Sequence, residues 1–121
     1  MMAAIVSASD LRSRNRCPMQ LKTRIFYITN SVASAIWTQT RDISLTGVGL
    51  LCDDLMHKGD HFVLPIALEG QTNMVLCEVK YCRRVASGQF SVGASFVASQ
   101  RCEKGAETIP VKWIDVASAD V

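Results

Sequence analysis

Several features that would assign a function class directly are absent from this 121-residue chain. No apolar run reaches the roughly 18 residues that a membrane-spanning helix needs, and the N-terminus lacks the basic region and the apolar length of a signal peptide. No Cys-x-x-Cys pair, phosphate-binding P-loop or nucleophile elbow occurs in the sequence. We therefore predict no membrane span, no metal site and no catalytic residue.

Net charge and cysteine content further limit the possible partners and the cellular compartment. The 13 Lys and Arg and the 11 Asp and Glu leave a formal net charge of +2, which is too small to predict binding to a nucleic acid polymer. Five cysteines are an odd number and, without an export signal, favour reduced thiols in a cytoplasmic protein. A regular strand would direct Cys77 and Cys82 to opposite faces, with Tyr81 on the face of Cys77.

Alternation of apolar and polar residues predicts six short strands with turn residues between them. We place the strands at 21–29, 32–41, 48–51, 62–68, 74–84 and 90–96. The predicted turns are Asn30–Ser31, Lys58–Asp60, Glu69–Gln71 and Ser87–Gln89. Short strands at even spacing indicate one all-β domain, an antiparallel barrel or sandwich.

The two ends of the chain are predicted to be less regular than this strand region. Residues 1–11 are expected to form a flexible or weakly helical lead, and residues 12–18 a loop at the start of a domain that spans 12–98. The remainder, 99–121, is expected to be a helical segment and tail. A helical turn is predicted after Val97 and a short helix from Pro110, whose Trp113 would cap an open end of a barrel.

Two segments carry side chains that suit an anionic ligand with a planar hydrogen-bonding edge, which describes a nucleotide. The 12–16 segment has three guanidinium groups, which can donate paired hydrogen bonds to a phosphate or to the O6/N7 edge of guanine. In the 42–47 segment, Asp42 can accept hydrogen bonds from the opposite guanine edge and Ser44 can donate one. Gly47 allows positive φ or close approach of the backbone to a ligand.

These motifs, in this order and on this strand pattern, resemble the PilZ domain family of small β-barrels that bind the bacterial second messenger cyclic di-GMP. The family's Arg-x-x-x-Arg pattern is matched by Arg12 and Arg16. Its [Asp/Asn]-x-Ser-x-x-Gly pattern is matched by Asp42, Ser44 and Gly47. The 91–96 segment resembles the family's last strand, so the resemblance covers about residues 11 to 97.

The resemblance implies a mainly all-β fold: a six-stranded antiparallel β-barrel with a flexible N-terminal arginine loop and a short C-terminal helix. It also implies a non-enzymatic cyclic di-GMP receptor in the bacterial cytoplasm, with no cofactor besides this ligand. On binding, the arginine loop would become ordered and change the surface offered to a downstream protein in motility, biofilm, polysaccharide or virulence control. The receptor could be a monomer or a dimer, and Leu11, where some members carry another arginine, favours one ligand per protomer.

Other interpretations of these residues stay open. Taken alone, the first motif is more often a solvated loop, and the second a turn whose Asp and Ser cap backbone amides. Arg14 and Gly93 are secondary candidates; solvent is favoured for Arg14, and packing in a crowded strand is an equal alternative for Gly93. Arg41 is expected to be structural, on the strand face opposite Asp42. The alternative function is a PilZ-fold protein–protein interaction module that does not use the nucleotide.

Overall fold

The computed structural model describes residues 4–6, 17–18, 20–68, 70–102, 109–110 and 112–114, and these residues form eight β-strands and one helical turn, at 112–114. The strands are β1 (Ala4–Val6), β2 (Cys17–Pro18), β3 (Lys22–Thr29), β4 (Val32–Ile43), β5 (Gly47–Cys52), β6 (His61–Leu68), β7 (Gln71–Arg84) and β8 (Phe90–Arg101). In the part of the chain so described, no helix has the length and apolar character to cross a membrane.

The six longer strands, β3 to β8, form a closed antiparallel barrel. Their order is β6-β3-β4-β5-β8-β7, and the pairing of β6 with β7 closes the sheet on itself. Each corresponds to one of the six strands expected from the alternation, so the predicted all-β barrel is confirmed. The turn between β3 and β4 is the expected one: Asn30 and Ser31 have φ of 48° and 65°, the left-handed pair that matches the twist of a two-residue hairpin.

The two shortest strands were not predicted. β1 pairs in parallel with the end of β6, and β2 pairs antiparallel with the end of β4. The prediction of a flexible or weakly helical lead is therefore wrong for residues 4–6, and that of a loop is wrong for 17–18. On one side β6 pairs first with β3 and then with β1. Pro65, which has no N–H to donate, lies between these two paired stretches.

The barrel interior is filled by apolar side chains from one face of each strand. The buried residues of this interior cluster include Ile25, Ile43, Val48, Leu50, Phe62, Leu64, Val75, Cys77, Val79 and Val92. They pack on one another and expose at most 6% of their surface. Because the interior is a core rather than a cavity, a ligand has to bind on the outer surface.

A second apolar cluster lies on the outer surface of β3, β6 and β7. It contains Ile28, Val63, Met74, Leu76 and Trp113. On each strand these residues alternate with interior ones, so β6 and β7 bury both faces. Trp113, which is 4% exposed, covers this outer surface, and the prediction that it caps an open barrel end is wrong.

The last strand is longer than predicted. β8 continues through Arg101, with residues 98 to 101 paired to β7. The prediction of a helical turn after Val97 is therefore wrong for 98–101, where tertiary pairing overrides a weak local pattern. The predicted helix from Pro110 is present as the helical turn at 112–114, and the Trp113 N–H donates to the Pro110 carbonyl at 3.0 Å.

Four cysteines, Cys52, Cys77, Cys82 and Cys102, are free thiols. Cys52 and Cys77 are buried in the interior cluster, while Cys82 and Cys102 are partly exposed. Burial raises the pKa of Cys77 well above its usual range and that of Cys52 to about 11. Among the residues that the structure describes, no group of three or more His, Cys, Asp or Glu side chains is arranged to hold a metal ion.

The two tryptophans provide a matched test of the outer apolar cluster. Trp113 is 4% exposed and Trp37 is 56% exposed. We expect Trp113→Ala to lower the free energy of unfolding by about 3–5 kcal/mol, the range for a buried Trp. Trp37→Ala should lower it by less than about 1 kcal/mol, the span of β-propensity. Urea unfolding of both variants checks this, and equal losses would contradict the burial of Trp113 on the barrel.

The buried thiols predict a loss of stability at alkaline pH. In the unfolded chain Cys52 and Cys77 ionise near pH 9, whereas the folded protein keeps both thiols neutral. Their contribution is full below pH 9 and is lost as pH rises towards the raised pKa values, by up to about 1.4 kcal/mol per pH unit for each thiol. Urea unfolding between pH 8 and pH 11 should show this slope, and Cys52→Ala should remove the part due to one thiol. A pH-independent free energy of unfolding would refute it.

Candidate functional site

The strand that carries Asp42 contains a β-bulge directly before it. The pairing of β4 with β5 shifts register between Thr40 and Asp42, so Arg41 is an extra residue on β4. Thr40 and Ile43 are completely buried, whereas Arg41 and Asp42 are both partly exposed. The prediction that Arg41 lies on the face opposite Asp42 is therefore wrong, because the bulge interrupts the two-residue alternation.

Arg41 donates hydrogen bonds to side chains on three strands. Its Nε donates to Asp42 Oδ2 at 3.0 Å, its Nη2 donates to Tyr81 Oη at 2.9 Å, and its Nη1 donates to Ser91 Oγ. These four residues, termed the Arg41 network, join β4, β7 and β8. The hydrogen bond with Tyr81 raises the pKa of Arg41, partial burial opposes this, and Asp42 raises it further. The guanidinium is thus a fixed cation in the wall of the barrel.

A second bulge brings Tyr81 to the outer face. In the pairing of β7 with β8, Val79 is opposite Ala94 and Tyr81 is opposite Gly93, which leaves Lys80 as an extra residue. Tyr81 is 40% exposed, although an unbroken alternation from Val79 would turn it inward. The bulge therefore places the Tyr81 hydroxyl where Arg41 can donate to it.

The same bulge changes the predicted orientation of Cys82. Cys82 packs against the interior cluster to which Cys77 belongs. The predictions that these two cysteines face opposite sides, and that Tyr81 shares the face of Cys77, are both wrong. After the bulge Arg83 also lies outside, and its guanidinium carbon is 5.4 Å from the centroid of the Tyr81 ring, within the range of a cation–π contact.

Two glycines lie beneath the Arg41 network. Gly49 of β5 and Gly93 of β8 are directly paired and are termed the glycine pair. A Cβ on Gly49 would lie 2.5 Å from Arg41 Nη2 and 2.9 Å from Asp42 Oδ1, and a Cβ on Gly93 would overlap the Tyr81 ring. The glycine pair thus lets Arg41 and Tyr81 lie flat against the sheet, so Gly93 has the packing role that was considered for it.

Ser44 and Gly47 shape the turn between β4 and β5. The Ser44 N–H donates to the Gly47 carbonyl at 2.9 Å, and Ser44 Oγ accepts from the Thr46 N–H at 3.3 Å. Ser44 is 5% exposed, so the structure shows the backbone-capping role that was kept as an alternative. Gly47 has no positive φ; a Cβ there would overlap the Ala94 carbonyl oxygen. Close approach of β8, rather than of a ligand, explains Gly47.

The arginines of the first motif, Arg12 and Arg16, lie outside the described residues, as do Arg14 and Leu11. The residues that follow them in the sequence are described. In β2, Cys17 pairs with Ile43 and Pro18 pairs with Asp42. The segment that begins directly after Arg16 is therefore anchored beside the second motif.

Besides Arg41, which was expected to be structural, three residues of the outer face were not predicted as site residues: Gly49, Tyr81 and Ser91. The signal that could have indicated them is the repeated glycine, at Gly47 and Gly49 in one strand and at Gly93 in another. A strand interior that contains glycine often marks a close approach of other groups. The bulges that turn Arg41 and Tyr81 outward have no comparable signal in the sequence.

Comparison with known families agrees with these motifs. The family model described as PilZ domain matches residues 10–106 of the chain. This match includes both motifs, all of the longer strands and the Arg41 network. A comparison with curated proteins gives no significant match.

The glycines of β5 predict a contrast between two equal substitutions. In Gly47→Ala the new methyl group meets the backbone of β8, which cannot move without breaking strand pairing, so we expect a loss of about 1–3 kcal/mol in the free energy of unfolding. In Gly49→Ala it meets the ends of two side chains, Arg41 and Asp42, which can shift without breaking strand pairing, and the loss should be below about 1 kcal/mol. Urea unfolding measures both. A larger loss in Gly49→Ala than in Gly47→Ala would contradict the close approach of β8 at Gly47.

Proposed function

The chain belongs to the PilZ domain family, and from that premise we propose that it is a non-enzymatic receptor for cyclic di-GMP, with a site formed by Arg12, Arg16 and Asp42 and shaped by Ser44 and Gly47. PilZ domains are generally cyclic di-GMP-binding modules and act as adaptors rather than enzymes. Both family motifs are intact in the sequence. The observation that carries the proposal is the pairing of β2 with the Asp42 end of β4.

This pairing supports a shared site for the two motifs. Arg16 precedes Cys17, and consecutive Cα atoms are about 3.8 Å apart. Since Cys17 pairs with Ile43, a side chain as long as that of arginine at position 16 would be able to reach a ligand held by Asp42. The two motifs, which are far apart in sequence, would then contact one molecule.

The two motifs suit different chemical groups of the ligand. Guanidinium forks at Arg12 and Arg16 suit the two phosphodiester groups and the O6/N7 edge of guanine. The partly exposed carboxylate of Asp42 suits the opposite edge, where N1–H and the N2 amino group donate. Each charged hydrogen bond contributes about 1.5–3 kcal/mol, so a few of them account for micromolar binding, which corresponds to about −8 kcal/mol.

The remaining predicted residues have smaller parts in this proposal. Ser44 and Gly47 hold the turn after Asp42, and Gly93 supports Tyr81. Arg14 stays a secondary candidate for phosphate contact. Leu11 in place of another arginine favours one ligand per protomer, and a calorimetric stoichiometry of two would contradict this.

Signalling would follow from ordering of the arginine segment. Neutralisation of its positive charge by a bound dianion favours one conformation of that segment, an order–disorder switch of the kind common in regulatory proteins. The surface so formed would alter contacts with a downstream protein in motility, biofilm, polysaccharide or virulence control in a bacterial cytoplasm. The alternative is an interaction module of the same fold that does not use the nucleotide.

Calorimetry with cyclic di-GMP separates a nucleotide receptor from an interaction module that does not use the nucleotide. We expect the unmodified protein to bind cyclic di-GMP and to bind cyclic di-AMP and GTP much more weakly. Adenine lacks the N1–H and N2 donors from which Asp42 would accept, and GTP lacks the second guanine. Arg16→Ala and Asp42→Ala should each weaken binding at least about tenfold, the loss of one charged hydrogen bond, with unchanged thermal melting.

Arg101→Ala is the matched control for charge. Arg101 is exposed at the end of β8, opposite Asn73 and far along the strand from Gly93, which lies beside the second motif. Arg101→Ala should leave the affinity for cyclic di-GMP unchanged. Full affinity in Arg16→Ala would remove the first motif from the site, and no binding by the unmodified protein would favour the interaction module.

A further inference from the structure

Arg41 is partly exposed, yet its side chain is held in the Arg41 network rather than extended into solvent. Its guanidinium is held by three side chains from three strands and lies directly against Asp42. We propose that Arg41 is a positioning residue, which fixes the orientation of the Asp42 carboxylate so that both of its oxygens can accept from a guanine edge. This inference rests on the proposed function, because it concerns how Asp42 selects its ligand.

The first step of the argument is the rigidity of Arg41. An arginine side chain has many rotamers, and a free one loses this freedom only on binding. Here Nη2 is held by Tyr81 and Nη1 by Ser91, while the glycine pair allows the side chain to lie against the sheet. Arg41 is therefore ordered by the protein itself, before any ligand arrives.

The second step is the effect on Asp42. Arg41 Nε donates to Asp42 Oδ2 at 3.0 Å, which restricts rotation of the carboxylate about its last bond. A carboxylate offers about four lone-pair positions, and Arg41 Nε takes one of those on Oδ2. The Asp42 side chain is 19% exposed, so it is partly accessible from outside the barrel. A carboxylate held in this way presents two acceptors in a fixed plane, which matches the adjacent N1–H and N2 donors of guanine.

The third step separates positioning from direct charge. An arginine that acts through its charge on a phosphate can be replaced by lysine with partial retention of binding. The Arg41 network requires donors in three directions in one plane, which lysine cannot provide. Lysine at position 41 therefore keeps the cation and loses the orientation of Asp42.

The test compares cyclic di-GMP with its inosine analogue, which lacks the 2-amino group and so loses one of the two donors to Asp42. The unmodified protein should prefer cyclic di-GMP by about tenfold or more, the loss of one charged hydrogen bond. In Arg41→Lys the preference should fall to about threefold or less, because this inference requires such a reduction. Most of the loss of affinity should be seen with cyclic di-GMP rather than with the inosine analogue. Tyr81→Phe keeps the ring on Gly93 and removes only the hydroxyl, so its preference should fall between these two values.

Arg83→Gln is the control for charge on the same outer face. Arg83 contacts the Tyr81 ring and is no member of the Arg41 network, so this variant should weaken both ligands equally and keep the preference. Calorimetry gives the four pairs of affinities, and thermal melting shows that each variant is folded. An unchanged preference in Arg41→Lys, or equal weakening of both ligands, would overturn the positioning role. Absence of any binding by the unmodified protein would instead refute the proposed function.

Discussion

The outer face of this barrel depends on one inserted residue, Arg41. In an unbroken strand the alternation from Thr40 would turn Asp42 into the barrel and Ile43 out of it. The bulge reverses both: Ile43 is fully buried and Asp42 is partly exposed. A carboxylate in an apolar core without partners is strongly unfavourable, so the bulge is what allows the motif residue and the core residue to be neighbours in sequence.

The second bulge contributes to the same network of side chains as the first. The extra residue Lys80 turns Tyr81 outward, where its hydroxyl accepts from Arg41. The space for both side chains comes from the glycine pair, Gly49 and Gly93, whose position opposite each other leaves a strip of sheet without Cβ atoms. Two bulges and two glycines on four neighbouring strands therefore form one unit, and a change in any of them alters the surroundings of Asp42.

The sequence was sufficient for the parts of the fold that follow local rules. The six long strands and an antiparallel barrel or sandwich follow from alternation and turn residues, and the resemblance to the PilZ family favours the barrel. The two motifs identify Asp42, Ser44 and Gly47. The orientations of Arg41, Tyr81 and Cys82 could not be predicted, because an extra residue in one strand is visible only relative to its partner strand. The position of Trp113 could not be predicted either. A strand buried on both faces, such as β6, does not show in its sequence which face lies in the barrel interior and which is covered from outside.

The pairing of β2 relates this rigid face to the arginine motif. β2 is only two residues long, and it pairs with Ile43 and Asp42, the residues that the first bulge orients. A strand so short contributes little stability by itself, so its pairing is sensitive to what is bound beside it. In the proposed receptor, a ligand that contacts Asp42 and the arginines at once would stabilise this pairing. The rigid half of the site would then determine which base is accepted, and the β2 junction would transmit occupancy to the N-terminal segment.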